Sequence, residues 1–162
     1  MSSFVYLAAA AVLIILDQII KAWAIQALQP VQSIMIINGL LSFTYVENRG
    51  AAFGILQGKY LLLMILTALI LIGAYIILLS GKFIKRPLEK ISLSLIVAGG
   101  TGNFIDRTIR GFVVDYIDIN QLFTFPMFNL ADCCVCVGAF LLLITVFMSE
   151  KTKSAVDGGE VK

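Results

Sequence analysis

The stretch Tyr60–Leu79, YLLLMILTALILIGAYIILL, runs twenty residues without a charge. At 1.5 Å of rise per residue a helix of that length covers about 30 Å, the thickness of a bilayer's hydrocarbon layer. It reads as a transmembrane helix, and the rest of the chain agrees with it. Hydrophobic residues make up 60% of the 162 positions and charged residues only 14%, which is far more apolar than a soluble domain of this length requires. The chain therefore reads as one polytopic membrane domain, residues 1–162. Its formal charge of +2 gives no basis for a nucleic-acid partner.

Working outward from that helix, three more spans can be drawn. Ile91–Ile105 and Cys133–Met148 are shorter uncharged runs. They reach spanning length by borrowing neighbours, giving spans over 88–105 and 129–148. The first span, about 4–24, is uninterrupted to Leu16 and then carries Asp17 and Lys21, four apart and so on one helical face. A cleaved leader is the rival reading of this segment. It lacks a Lys/Arg-bearing start, and its apolar run continues into charged residues where a small, polar cleavage region belongs, so the span is expected to be retained.

Basic residues set the expected orientation. The connection Ser80–Lys90 holds Lys82, Lys85, Arg86 and Lys90, whereas the connections at about 25–59 and 106–131 hold only Arg49, Lys59, Arg107 and Arg110. The short basic loop is then cytoplasmic, both termini lie inside, and 149–162 forms a cytoplasmic tail with Lys151 and Lys153. The consequence is chemical. Asp17, Asn48, Asn103, Asp106, Arg107, Asp115, Asn129 and Asp132 all fall at or near the outer ends of spans, at one membrane surface. A transporter more often places ionisable groups near the midplane of paired repeats, and no repeat is visible.

The first outer segment contains two β-rich runs, Val31–Ile37 and Leu40–Val46, separated by Asn38-Gly39, a strong hairpin signal because both residues tolerate positive φ. The fold expected is an all-α integral membrane protein of four transmembrane helices with a small extracytoplasmic β-hairpin or β-platform. After the hairpin, glycines bracket small residues in Asn48-Arg-Gly-Ala-Ala-Phe-Gly54, which suits either close backbone approach to a ligand or an ordinary turn. Phe123, Phe125 and Phe128 in the second outer segment suit interfacial anchoring.

The residue types narrow the chemistry. There is no histidine, which removes the usual general base, the common zinc ligand and any Ser-His or Cys-His nucleophile. Cys133, Cys134 and Cys136 read as small apolar packing residues, since only Cys133 and Cys136 share a helical face. No metal or cofactor is expected. Lys21, four residues after Asp17, reads as a salt-bridge partner and not as a base. Carboxylates remain. An ionised Asp in a membrane helix costs about 2.5–3.5 kcal/mol at the bilayer centre, so Asp132 at the mouth of the last span is a functional candidate, with Asp115 as its possible partner. Two carboxyl groups held close share a proton, one acting as base toward water and the other as acid toward a carbonyl.

The polar stretches resemble a known family, the bacterial lipoprotein (type II) signal peptidases. Asp17-x-x-x-Lys21, Asn48-Arg-Gly-Ala-Ala-Phe-Gly54, Gly102-Asn103-Phe-Ile-Asp106-Arg107, Val113-Val114-Asp115-Tyr116 and Phe128-Asn129-Leu-Ala131-Asp132 look like its five motifs, in order over residues 17–132. Tyr116 stands where Phe is more usual. The resemblance implies an aspartic endopeptidase of the cytoplasmic membrane that removes the signal peptide of diacylglyceryl-modified prolipoproteins, with membrane lipids as its surroundings and no obligate protein partner. It implies Asp115 and Asp132 as the catalytic pair. Asn48, Asn103, Arg107 and Asn129 would surround the pair and substrate, and Asp17, Lys21 and Asp106 would support them. Asp118 lies outside the motifs. A proton-coupled carrier using the same carboxylates is the alternative, and a non-enzymatic scaffold a more distant one.

Overall fold

The computed structural model describes residues 3–50 and 59–157. The expectation for Ala51–Gly54 lies outside the described residues. Four helices and three strands follow one another as α1 (Ser3–Leu28), β1 (Ser33–Ile37), β2 (Leu41–Asn48), α2 (Tyr60–Ser80), α3 (Pro87–Arg110), β3 (Val113–Asp118) and α4 (Leu130–Asp157).

The helices end where their sequences say they should. Gly81 closes α2 at φ 61° and Gly111 closes α3 at φ 79°, the left-handed geometry that glycine adopts without a Cβ penalty. Pro87 opens α3, where the Glu89 carboxylate accepts from the Arg86 N–H at 3.0 Å. Helix α3 packs against α1, α2 and α4. One apolar cluster ties Tyr6 and Ala10 of α1 to Ala74 and Leu78 of α2 and to Leu93, Val97 and Ala98 of α3. Leu61, Ile65, Leu69, Ile72 and Ile76 of α2 face outward, as expected of a helix whose solvent is lipid.

Three helices among the described residues are long and apolar enough to cross a membrane: α1, α2 and the Leu130–Met148 part of α4. Helix α3, where the fourth span was expected, has 24 residues, about 36 Å of length, but falls short on composition. The reason is local. Its first turn carries Glu89 and Lys90, and its C-terminal half carries Asn103, Asp106 and Arg107, these three buried against its neighbours.

The chain is mostly helical, with a small sheet that is larger than the expected hairpin. The order is β1-β2-β3, antiparallel throughout. At the hairpin Ile37 pairs with Leu41, the Leu40 N–H closes the turn on the Ile37 carbonyl at 3.1 Å, and Gly39 alone takes positive φ, 73°. Strand β3 was not expected. The run Val113–Asp118 carries the β-branched Val113, Val114 and Ile117 beside its acids, and these suit a strand. Tyr45, Val114 and Tyr116 of the sheet pack on Ala24 and Leu28 at the end of α1, so the sheet caps one end of the helices.

Candidate active site

The site forms where β3, the N-terminus of α4 and the C-terminal half of α3 meet. The Phe128 carbonyl accepts from the N–H groups of Tyr116 at 3.1 Å and Ile117 at 2.8 Å, and the Leu130 N–H donates to the Tyr116 hydroxyl at 3.2 Å. These bonds pin the start of α4 against the strand that carries Asp115.

Asn129 is the residue before α4, and it forms a reciprocal cap with the third helical residue. The Asp132 N–H donates to Asn129 Oδ1 at 2.9 Å, and the Asn129 N–H donates to Asp132 Oδ2 at 3.2 Å. The Asn129 side-chain amide is thereby left free to turn toward β3, where Nδ2 donates to Asp115 Oδ1 at 2.7 Å. One asparagine therefore touches both carboxylates, which fixes Asp115 and Asp132 as neighbours. Their other oxygens are held as well. Asn48 Nδ2 donates to Asp115 Oδ2 at 2.9 Å, and Asn103 Nδ2 donates to Asp132 Oδ1 at 2.7 Å. The first contact follows from sheet register. Asn48 pairs with Val113, and Asp115, two residues on, shares its face.

Asp115 is 2% exposed. Burial, with the Asp132 charge adding to it, pushes its carboxyl up to about 7 from an ordinary 3.8. A pair in this setting holds a proton near neutral pH, the condition for one carboxyl to act as acid while the other acts as base.

Behind the pair lies a buried polar cluster. The Lys21 ammonium has three partners for its three N–H groups: Asp17 Oδ2 at 2.9 Å, Asp106 Oδ2 at 3.1 Å and Asn103 Oδ1 at 2.9 Å. Asp17 also accepts from the Ala131 N–H in the first turn of α4 at 3.1 Å, and Asp106 accepts from the Val114 N–H on β3 at 3.1 Å. The two acids thus hold the two elements that carry Asp132 and Asp115. Arg110 pairs with Asp106, bringing the cluster to two cations and two anions. Sequence reasoning gave Asp17, Lys21 and Asp106 a supporting place, and all three meet here. It missed Gln18, whose amide donates to Asp17 and Asp106 at 3.2 Å, and Arg110. The i,i+4 spacing of Asp106 and Arg110 was the available signal for the latter. The Asn-x-x-Asp cap at 129–132 was legible too, as a variant of the capping box.

A cavity of about 610 Å³ opens beside the pair, its polar wall made by Asn48, Asn103, Arg107 and Asp132 and much of the rest apolar. Asp115 does not line it, but its partner Asn48 does. Arg107 donates to the Gly50 carbonyl at 2.8 Å, while its buried Nε has no partner among the described residues. Cys133 and Cys136 sit on the cavity wall and Cys134 is buried away from it. Asp118 belongs elsewhere. It accepts from the Asn120 N–H at 2.9 Å and from the Thr44 hydroxyl at 3.0 Å, and the Asn120 N–H holds its carboxyl below the usual range. Among the described residues no group of three or more His, Cys, Asp or Glu side chains is placed to hold a metal ion.

Known proteins share this arrangement of chain and fold. The family profile described as Signal peptidase (SPase) II matches residues 9–148. A lipoprotein signal peptidase of Clostridium acetobutylicum is 41% identical over 145 residues, covering 88% of this chain and 94% of that protein. One from Syntrophomonas wolfei is 45% identical over 138 residues, covering 85% and 89%. A bacterial membrane enzyme solved by the in meso method at 2.3 Å superimposes with a TM-score of 0.82 at 34% identity, covering 93% of this chain and 90% of that one. The chain belongs to the signal peptidase II family of aspartic membrane peptidases.

Proposed function

We propose that Asp115 and Asp132 are the catalytic pair of an endopeptidase that cleaves the signal peptide from diacylglyceryl-modified prolipoproteins. The single observation that carries this reading is Asn129 bridging the two carboxylates, one of which, Asp132, lines the cavity. Asp132, on the cavity wall, would take a proton from the attacking water. Asp115, whose carboxyl is pushed up to about 7, would give its proton to the carbonyl oxygen of the scissile bond. The asparagines hold each carboxylate oxygen in place through the proton exchange, and Arg107 Nε is the donor left for the substrate's backbone.

A lipid-anchored substrate accounts for the architecture. The diacylglyceryl chains and the apolar signal helix stay in the bilayer while the peptide bond meets water at its edge. In this reading α3 is the fourth span, its polar half shielded by α1, α2 and α4. The enzyme lies in the bacterial cytoplasmic membrane with the basic 80–90 loop, both termini and the 149–162 tail inside and the pair near the outer face. Purified protein in lipid, given a lipidated prolipoprotein, should cleave it. Asp132→Asn should abolish turnover, and Asp118→Asn should keep substantial activity. Near-wild-type cleavage by a folded Asp132→Asn preparation would remove this acid from the chemistry.

A further inference from the structure

The hairpin has a surface that no part of the chemistry uses. From Ala22 to Val46 the chain carries no charge. Strand β1 is the edge of the sheet, and all five of its residues are exposed. Ile34 pairs with Phe43 and Met35 with Ser42, which puts them on opposite faces, an irregularity follows before Ile37, and Ile34, Met35, Ile36 and Ile37 are all open, each 41–59% exposed. An apolar edge strand bare on both faces invites association unless something covers it.

A second apolar patch is joined to it. In the loop before α4, Leu122 and Phe123 are exposed at 58% and 51%. Gln121 ties this loop to the hairpin: its Oε1 accepts from the Gly39 N–H at 2.8 Å and its Nε2 donates to the Ser42 hydroxyl at 3.0 Å. Two features identify the cover. The surface continues the lipid-facing side of α1, because exposed Trp23 near the end of that helix stacks edge-on against Phe43 of β2, ring centroids 5.7 Å apart. The whole run from Trp23 to Leu40 is also uncharged, as an apolar boundary layer demands and a soluble protein's surface does not. Depth follows from the backbone. The outer edge of β1 leaves peptide groups that need water, so the strand belongs at headgroup level and not in the hydrocarbon.

We propose that the β1–β2 hairpin and the 121–125 loop, clasped by Gln121, form one membrane-docking edge seated in the interfacial layer of the leaflet at the Asp115/Asp132 end. The inference rests on the reading of this chain as a bilayer-spanning peptidase. It adds a consequence: Phe125 ends the docked segment, Phe128 follows it and both line the cavity, so lipid contact sets the position of the cavity wall beside the pair.

The test uses full-length protein in vesicles of phosphatidylethanolamine and phosphatidylglycerol, with brominated acyl chains as the lipid quencher and acrylamide as the aqueous one. Wild-type Trp23, the single tryptophan, reports on the spanning reading, and Ile36→Trp in a Trp23→Phe background reports on docking. Both should be quenched by lipid brominated near the headgroup and be shielded several-fold from acrylamide. Quenching of Trp23 by lipid with an acrylamide-accessible reporter at position 36 would overturn docking and leave the spanning reading standing. Loss of lipid quenching at both would remove the spanning reading itself. A reporter shielded from both quenchers, and exposed on dilution to one chain per nanodisc, would assign the edge to a second copy instead. Leu40→Trp repeats the measurement should Ile36→Trp fold poorly. With a reporter at Phe123→Trp, Gln121→Ala should raise acrylamide quenching, and an unchanged value would refute the clasp.

Discussion

Asp115→Asn should make the protein inactive and, above neutral pH, relatively more stable than wild type. In the unfolded chain the Asp115 carboxyl has its ordinary pKa of 3.8, and in the fold it is raised to about 7. A carboxyl raised on folding contributes stability that is fully present below the unfolded value and is lost as pH climbs through the folded one, because the native state must then hold an ion it disfavours. One pKa unit corresponds to about 1.36 kcal/mol, so wild type loses roughly 2.7 kcal/mol between pH 5 and full ionisation above pH 7. The loss belongs to the second proton of the Asp115–Asp132 pair and not to one residue in isolation. Asparagine never ionises, so it lacks this loss. Its amide must face one of the two donors now on Asp115, Asn48 or Asn129, at a cost of about 1–3 kcal/mol, but that cost is the same at both pH values and cancels. The quantity to measure is the change in the mutant-minus-wild-type difference. By thermal unfolding in detergent, at about 2–4 °C per kcal/mol for a chain of this size, the difference should swing by roughly 5–10 °C toward the mutant from pH 5 to pH 8. A difference that stays constant across that range would refute the raised pKa, and with it the role of Asp115 as proton donor.

Three further perturbations probe the scaffold. Lys21→Met removes the cation shared by buried Asp17 and Asp106 and should destabilise by about 3–5 kcal/mol, read as a fall in the unfolding midpoint, with residual activity in whatever fraction folds. Gly99→Ala would put a methyl against the backbone carbonyl of Ala131, one residue before Asp132, forcing α3 and α4 apart. It should cost about 1–3 kcal/mol and depress cleavage, whereas wild-type stability would show that the helices separate freely. In a variant without the three native cysteines, Lys85→Cys should be shielded from impermeant thiol reagents in intact cells and Glu47→Cys should react. The opposite pattern would invert the orientation.

Class and much of the chemistry were legible in the chain before any fold was known. Composition and the uncharged run at Tyr60–Leu79 require a membrane, Asn38-Gly39 requires a turn, and the absence of histidine leaves carboxylates as the acid–base groups. These are local or compositional properties, and neighbours in sequence suffice to decide them. The i,i+4 pair of Asp17 and Lys21 was legible for the same reason, since helix geometry alone brings the two together. Which distant polar groups meet is settled only when the chain folds. Asp106 joins Lys21 across 85 positions, and Asp17 reaches the Ala131 N–H across 114. Asn129 faces Asp115 only because β3 pairs with the segment just before α4, and no periodicity announces that pairing. Helix α3 shows the limit most clearly. The uncharged run Ile91–Ile105 reads as the core of a span, while composition over the whole helix falls short of one, and the polar residues behind that shortfall, Asn103, Asp106 and Arg107, are buried against partners from other elements, a property of the assembled chain and not of any stretch of it.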